Sequence, residues 1–214
     1  FQKPDIILNK IKEKLSFPLY VKPSNLGSSV GINKVSSEDN IKYAIEVASK
    51  FDSSILVEEG IENIMEINCS VLGNTENAKP SVCEQPISGK ELLSYQDKYC
   101  SGQKKMGMKG TRRILPADIP DDLTTKIQGM AVKVFQAINC SGVARVDFLV
   151  NKKDESLFVN EINTLPGSLS FYLWEAGGMK FSQLIDELVE LAVERQQEKT
   201  ETTYSYDSNI LNQN

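Results

Sequence analysis

Apolar positions recur along this chain with two periods, and each period predicts a different kind of element. Over residues 38–51 the apolar groups Ile41, Ala44, Ile45 and Ala48 fall three and four apart. That spacing gathers them on one side of a helix, and Ser36 or Ser37 is placed to cap its start. Residues 121–138 repeat the pattern through Leu123, Ile127, Met130, Ala131, Val134, Phe135 and Ile138, with Pro120 where helices often begin. Residues 182–194 carry Leu184, Ile185, Leu188, Leu191 and Ala192 on one face. A shorter helix over 6–15 opens the chain. Between the helices, five runs read as strands: 19–22, 54–58, 66–72, 143–150 and 157–162. The last two are joined by the polar "NKKDES", which fits a hairpin connection. No internal repeat is visible. The end, "QQEKTETTYSYDSNILNQN", is polar and without a period, and reads as a frayed tail. The stretch 95–113 holds six Lys or Arg and three Gly and reads as a long mobile loop, a kind often functional in compact domains.

The hairpin strands are interrupted by polar groups at alternate positions. "VARVDFLV" offers Arg145 and Asp147 on one face, and "LFVNEINTLPG" offers Glu161 and Asn163 in the same way. In an antiparallel pair, facing residues share a constant sum. One register sets Asp147 opposite Glu161 and Arg145 opposite Asn163. Like charges facing across a ladder destabilise it. A divalent cation between them reverses that sign, and oxygen-only ligands suit Mg²⁺. The competing reading, a solvated edge hairpin, stays open at this level.

Two further stretches carry chemistry. In "LYVKPSNLGSSVGI", Lys22 ends an apolar run and needs an anionic partner or an exit to water. The small residues Gly27, Ser28, Ser29 and Gly31 follow, and backbone N–H groups in such a loop can close around phosphate oxygens. It is not a Walker loop, since G-x-x-x-x-G-K-[ST] is absent. In "ILVEEGIE" an apolar strand runs into Glu58 and Glu59 and a glycine, a passage able to offer backbone groups to an adenine edge.

Composition narrows the field. Of 214 residues, 40% are hydrophobic and 25% charged, enough for one sizeable domain or two small ones. A net charge of -5 argues against general nucleic-acid affinity. No apolar run approaches a membrane span, and no signal-peptide pattern opens the chain. There is no histidine, so Ser-His-Asp triads and Cys/His zinc sites are excluded. Cys69, Cys83, Cys100 and Cys140 form no C-x-x-C pair and read as reduced cytoplasmic thiols. The chain opens at Phe1 rather than Met and is read as a piece of a longer protein.

Taken together, "FPLYVKPSNLGSSVGI", "ILVEEGIE", "EINCSVLGN", "SYQDKY", "GVARVDF", "NEINTLPG" and "FSQLIDELVELA" resemble, in order, the D-alanine–D-alanine ligase family of the ATP-grasp superfamily. The resemblance covers roughly residues 17–192. It implies an α+β fold in which two subdomains with antiparallel sheets enclose ATP: residues 1–60 as a central subdomain truncated at its start, 61–195 as the C-terminal one, and 196–214 as a polar tail. It implies that Lys22, Ser28, Ser29, Glu58, Glu59, Ile61, Glu66 and Lys98 bind the nucleotide. Arg145, Ser28, Tyr99 and Gly167 would act in catalysis. Asp147, Glu161 and Asn163 would hold two Mg²⁺ ions, with Mn²⁺ as a substitute. The implied reaction joins two D-alanines through an acylphosphate at the expense of ATP, in the cytoplasm, for peptidoglycan precursors, in a protein that is a possible homodimer. No nucleic acid or membrane partner is implied.

The sequence departs from the family twice. The run "SLSFYLWEAGG" after Gly167 is shorter than usual, so that Ser168 and Ser170 are both open as carboxylate ligands for the second substrate. The N-terminal domain and the start of the central subdomain, which carries a second phosphate lysine, are not represented. The chain alone is therefore expected to form no dipeptide. Rival readings are another ATP-grasp ligase, including one joining D-alanine to D-lactate, a nucleotide-binding domain without catalysis, and an unrelated α+β protein.

Overall fold

The computed structural model describes residues 4–27, 29–87 and 113–202, with side chains from Ile6 onward. Ser28, Lys98 and Tyr99, together with all of the 95–113 loop except Arg113, lie outside the described residues. The chain divides into two compact units. One comprises 1–64, 87–112 and 151–154, the other 65–86, 113–150 and 155–214.

In the first unit, α1 (Pro4–Lys14) and α2 (Ile41–Ala48) accompany a three-stranded antiparallel sheet. Its order is β2 (Asn33–Val35), β1 (Leu19–Pro23), β3 (Ile55–Glu59). The core joins Ile11 of α1, Leu19 and Val21 of β1, Val35, and Ile41, Ala44, Ile45 and Ala48 of α2. These are the four apolar positions whose spacing predicted a helix. That helix is shorter than its periodicity suggests, because Glu38–Asn40 forms a 3-10 turn. Ser37 caps this turn without a side-chain hydrogen bond.

The second unit is built on a five-stranded sheet of order β6-β5-β4-β7-β8. Its strands are β4 (Ile64–Gly73), β5 (Ala78–Pro86), β6 (Arg113–Ile114), β7 (Gly142–Asn151) and β8 (Leu157–Asn163). One face is apolar. Ile67, Cys69, Val71, Cys83, Ala144, Val146, Phe148 and Val150 pack there with Leu123, Ile127, Ala131 and Phe135 of α3 (Asp121–Ala137). On the other face, Leu72 and Val143 meet Trp174 of α4 (Phe171–Ala176) and Leu184 of α5 (Phe181–Glu201). The rest of that face carries polar side chains.

Three strands and one helix are additions to the sequence reading. β5 contains Pro80, Pro86 and charged residues, which disguise it as loop. β2 and β6 are three and two residues long. α4 has only six residues, too few for a period to show. α5 runs seven residues past the expected end at 194, so the tail begins later than expected. Helix formers and an Arg195–Glu198 pair at 2.9 Å carry it on. Among the described residues, no helix is long and apolar enough to cross a membrane.

Candidate functional site

The hairpin of β7 and β8 sets the chemistry of the second unit. Asp147 faces Glu161 and Arg145 faces Asn163, the register inferred from the sequence. Beyond Asp147 the register shifts, so that Phe148 faces Val159 and Val150 faces Leu157. The extra residue, Asn160, is a β-bulge. It resolves a conflict, since Leu157 and Ile162 both pack on the core yet lie an odd number apart. Without the bulge, one of them or the Glu161–Asn163 pair would be on the wrong face.

Arg145 binds Asp147 as a fork: Nε donates to Oδ1 at 2.6 Å and an Nη to Oδ2 at 2.7 Å. The Asn163 amide donates to Asp147 Oδ2 at 3.2 Å and to Glu161 Oε1 at 3.3 Å. Burial pushes the Asp147 carboxyl above its ordinary range, aided by Glu161 and Glu84, while Arg145 pulls it down. The hydrogen bonds that Arg145 donates to Asp147 raise the guanidinium pKa further, against burial.

This geometry fits a divalent cation. Two carboxylates and an amide meet around a common point, and all offer hard oxygen once the amide is turned by a half rotation. Among the described residues no group of three His, Cys, Asp or Glu side chains gathers for a metal. The third donor must therefore be Asn163 or an oxygen of the ligand.

Behind the hairpin lies a cluster the sequence reading missed. Glu84 is 3% exposed. Its Oε1 accepts from the Tyr172 hydroxyl at 2.6 Å and from Asn68 Nδ2 at 3.0 Å, and its Oε2 accepts from Arg113 at 3.2 Å. Burial and the bond to Glu84 raise the Tyr172 pKa. The signal for this cluster was present in the "EINCS" alternation, where Ile67 and Cys69 face the core while Glu66, Asn68 and Ser70 point the other way. Glu66 thus shares the polar face with Asn68.

After β8, Gly167 starts a turn in which Ser168, Leu169 and Ser170 all take left-handed φ of 50°, 56° and 50°. Three such non-glycine residues in succession are costly and must be held by their surroundings. α4 supplies the hold through Tyr172 and through Trp174, whose indole N–H donates to Ser70 Oγ at 3.2 Å. Ser70 in turn donates to the Ala144 carbonyl at 2.9 Å. The two candidate serines differ. Ser168 is exposed, whereas Ser170 is fully buried with its hydroxyl unpartnered among the described residues.

In the first unit, Lys22 finds the anionic partner it requires in Glu58, one strand over. The small-residue loop between β1 and β2 is tied at its start. Asp52 Oδ2 accepts from Asn25 N at 2.7 Å and from Asn25 Nδ2 at 2.9 Å, and Oδ1 accepts from Ser54 N at 3.0 Å. Those backbone donors, Ser54 first, hold the Asp52 carboxyl below its ordinary range. Gly31, at φ +74°, leaves no room for a Cβ, which would stand 2.9 Å from Phe51 and Pro23. Ser29 lies in the same loop at φ 60°. Glu59 ends β3, and the Gly60 N–H donates to the Pro18 carbonyl at 2.6 Å just before Ile61.

Residues 1–190 match the model of a family described as "D-ala D-ala ligase C-terminus". The chain belongs to that family. Among curated members, a D-alanine--D-alanine ligase of Acetivibrio thermocellus is 42% identical over 88% of this chain and 49% of its own length. One of Thermosipho africanus is 39% identical over 95% and 54%. Among solved structures, the D-Ala:D-Ser ligase VanG of Enterococcus faecalis superposes with a TM-score of 0.74 at 30% identity, covering 89% of this chain and 54% of that one. The D-alanine-D-alanine ligase of Coxiella burnetii gives 0.73 at 30%, over 91% and 49%. The fold is therefore the α+β ATP-grasp of these ligases, and the chain spans about half the length of the relatives it matches.

Proposed function

We propose that this chain is the ATP-binding and catalytic part of a ligase that joins two D-alanines for peptidoglycan precursors. The single observation that carries the reading is the β7–β8 register, which sets Asp147 against Glu161 with Asn163 reaching both. It occurs in a chain that belongs to a ligase family. Residues 1–60 would form the central subdomain and 61–195 the C-terminal one, in a cytoplasmic protein that pairs as a homodimer.

The reaction has two steps. A carboxylate oxygen of the first amino acid bonds to the γ-phosphorus of ATP, ADP leaves, and an acylphosphate results. The amine of the second attacks the acyl carbon, loses a proton, and expels inorganic phosphate. The protein's task is to position the reactants and to neutralise charge. Asp147, Glu161 and Asn163 would hold two Mg²⁺ ions, or Mn²⁺, which supply positive charge to the phosphate oxygens. Arg145, locked by its fork on Asp147, brings a fixed guanidinium to the transferring phosphoryl group. Gly167 offers a backbone N–H. Lys22, Ser28 and Ser29 take phosphate oxygens, while Glu58, Glu59 and Ile61 meet the adenine. Glu66 takes the ribose, and the resemblance assigns Lys98, outside the described residues, to the nucleotide and Tyr99, likewise outside them, to catalysis.

Titration of the chain with ATP by calorimetry tests this. The reading expects binding that tightens at least tenfold when Mg²⁺ is added. Absence of ATP binding would refute it. A second reading, with D-serine as the acceptor, is favoured by the likeness to the D-Ala:D-Ser ligase. Comparison of the two amino acids as acceptors in the complete enzyme decides between them.

A further inference from the structure

The ligase reading accounts for Arg145 and the hairpin carboxylates but leaves the Glu84 cluster without a task. A fully buried carboxylate is costly unless it is paired and hydrogen-bonded. Glu84 is both, and its partners point to a purpose. Its side chain is 4% exposed while that of Arg113 is 21% exposed, so the carboxylate lies beneath and the guanidinium reaches toward the surface. The guanidinium also lies 4.3 Å over the Tyr172 ring. An arginine clamped by a carboxylate on one side and an aromatic ring on another has lost most of its rotamer freedom in advance. It has correspondingly little left to lose when it binds an oxyanion.

Its position matches that use. β6 pairs with β5 so that Arg113 faces Pro86, two residues from Glu84. Arg113 therefore shares the polar face with Glu84, opposite the face that Cys83 gives to the core. Arg145 and Asp147 alternate in the same way with core-facing Ala144, Val146 and Phe148. Glu84, Arg113 and Arg145 thus lie on one face of the same sheet.

The proposed chemistry supplies the ligand. While its amine attacks the acylphosphate, the second amino acid keeps an ionised α-carboxylate that needs a cation on this face. Arg145 already gives two donors to Asp147. Of the two serines in the turn, Ser170 is sealed from solvent. Resting on the ligase reading, we propose that Arg113, buttressed by Glu84 and Tyr172, holds the α-carboxylate of the acceptor amino acid. The arginine thereby selects acceptors that carry a free carboxylate.

The test uses the 214-residue chain saturated with Mg²⁺ and ADP. D-alanine, D-alaninamide, which lacks the carboxylate, and inorganic phosphate are titrated in turn. The fluorescence of Trp174, the single tryptophan and two residues from Tyr172, reports binding. Native chain is expected to bind D-alanine at least tenfold more tightly than D-alaninamide, a comparison that needs no variant. Arg113→Lys is expected to lose that preference with unchanged ADP affinity and circular dichroism. Tyr172→Phe, which keeps the ring under the guanidinium, retains most of it. Equal binding of the amide, unaltered D-alanine binding by Arg113→Lys, or phosphate binding without D-alanine binding overturns the assignment. Failure to bind ADP at all instead overturns the ligase reading on which it rests.

Discussion

Asp52 shows how one side chain organises a loop that the sequence marks only by its small residues. Its carboxylate collects backbone donors from Ser54 and Asn25, which lowers its pKa in the folded state. A depressed folded-state pKa contributes stability that is complete above the unfolded value of about 3.9 and is lost as pH falls through the folded value. Asp52→Asn is therefore expected to melt lower than the native chain by a constant margin between pH 5 and 7. That margin should close below pH 4, and thermal unfolding across this range measures it. Some residues were legible and others were not, for a physical reason. Lys22, Asp147 and Glu161 are charged groups set in apolar runs, which draws notice. Glu84, Asn68, Arg113 and Tyr172 come from three strands and a helix. The "EINCS" alternation puts Asn68 on the polar face, but nothing local in the chain announces which residues it meets there.

At the scale of elements, periodicity found the helices whose stripes are long enough to repeat. The α3 stripe buries Leu123, Ile127, Ala131 and Phe135 against the sheet. Phe135 is fully buried, and Phe135→Ala is expected to cost about 3–5 kcal/mol in urea unfolding. Alternation found β7 and β8 and even their register at the charged end, but no rule of constant sum can foresee a bulge. Deleting Asn160 removes the unpaired residue and leaves Leu157 and Ile162 an even number apart, so a regular ladder keeps Ile162 on the core and Glu161 opposite Asp147. The shortened hairpin is therefore expected to stay folded by circular dichroism and to keep the Mg²⁺ enhancement of ATP binding. Loss of the enhancement in a folded variant would mean that the bulge itself, beyond the register, aims the carboxylate.

At the scale of the molecule, the chain spans about half the length of its relatives, so the groups that hold the first amino acid are expected from outside it. With ATP, Mg²⁺ and D-alanine, the 214 residues alone should release no phosphate above the rate of ATP in buffer. Turnover comparable with a complete ligase would show that this chain suffices. The ATP-grasp fold was readable because many short, individually weak stretches occur in one order. The two compact units were less so, because residues 151–154 of the hairpin connection cluster with the first unit while the strands on either side belong to the second. The account as a whole depends on β7 and β8 offering their oxygens to a divalent ion in the company of a nucleotide. Electron paramagnetic resonance of Mn²⁺, titrated into the chain with ATP present, tests this most directly. The native chain should bind the ion at least tenfold more tightly than Asp147→Asn, while both retain the same circular dichroism. Equal Mn²⁺ affinity in the two proteins would contradict the account.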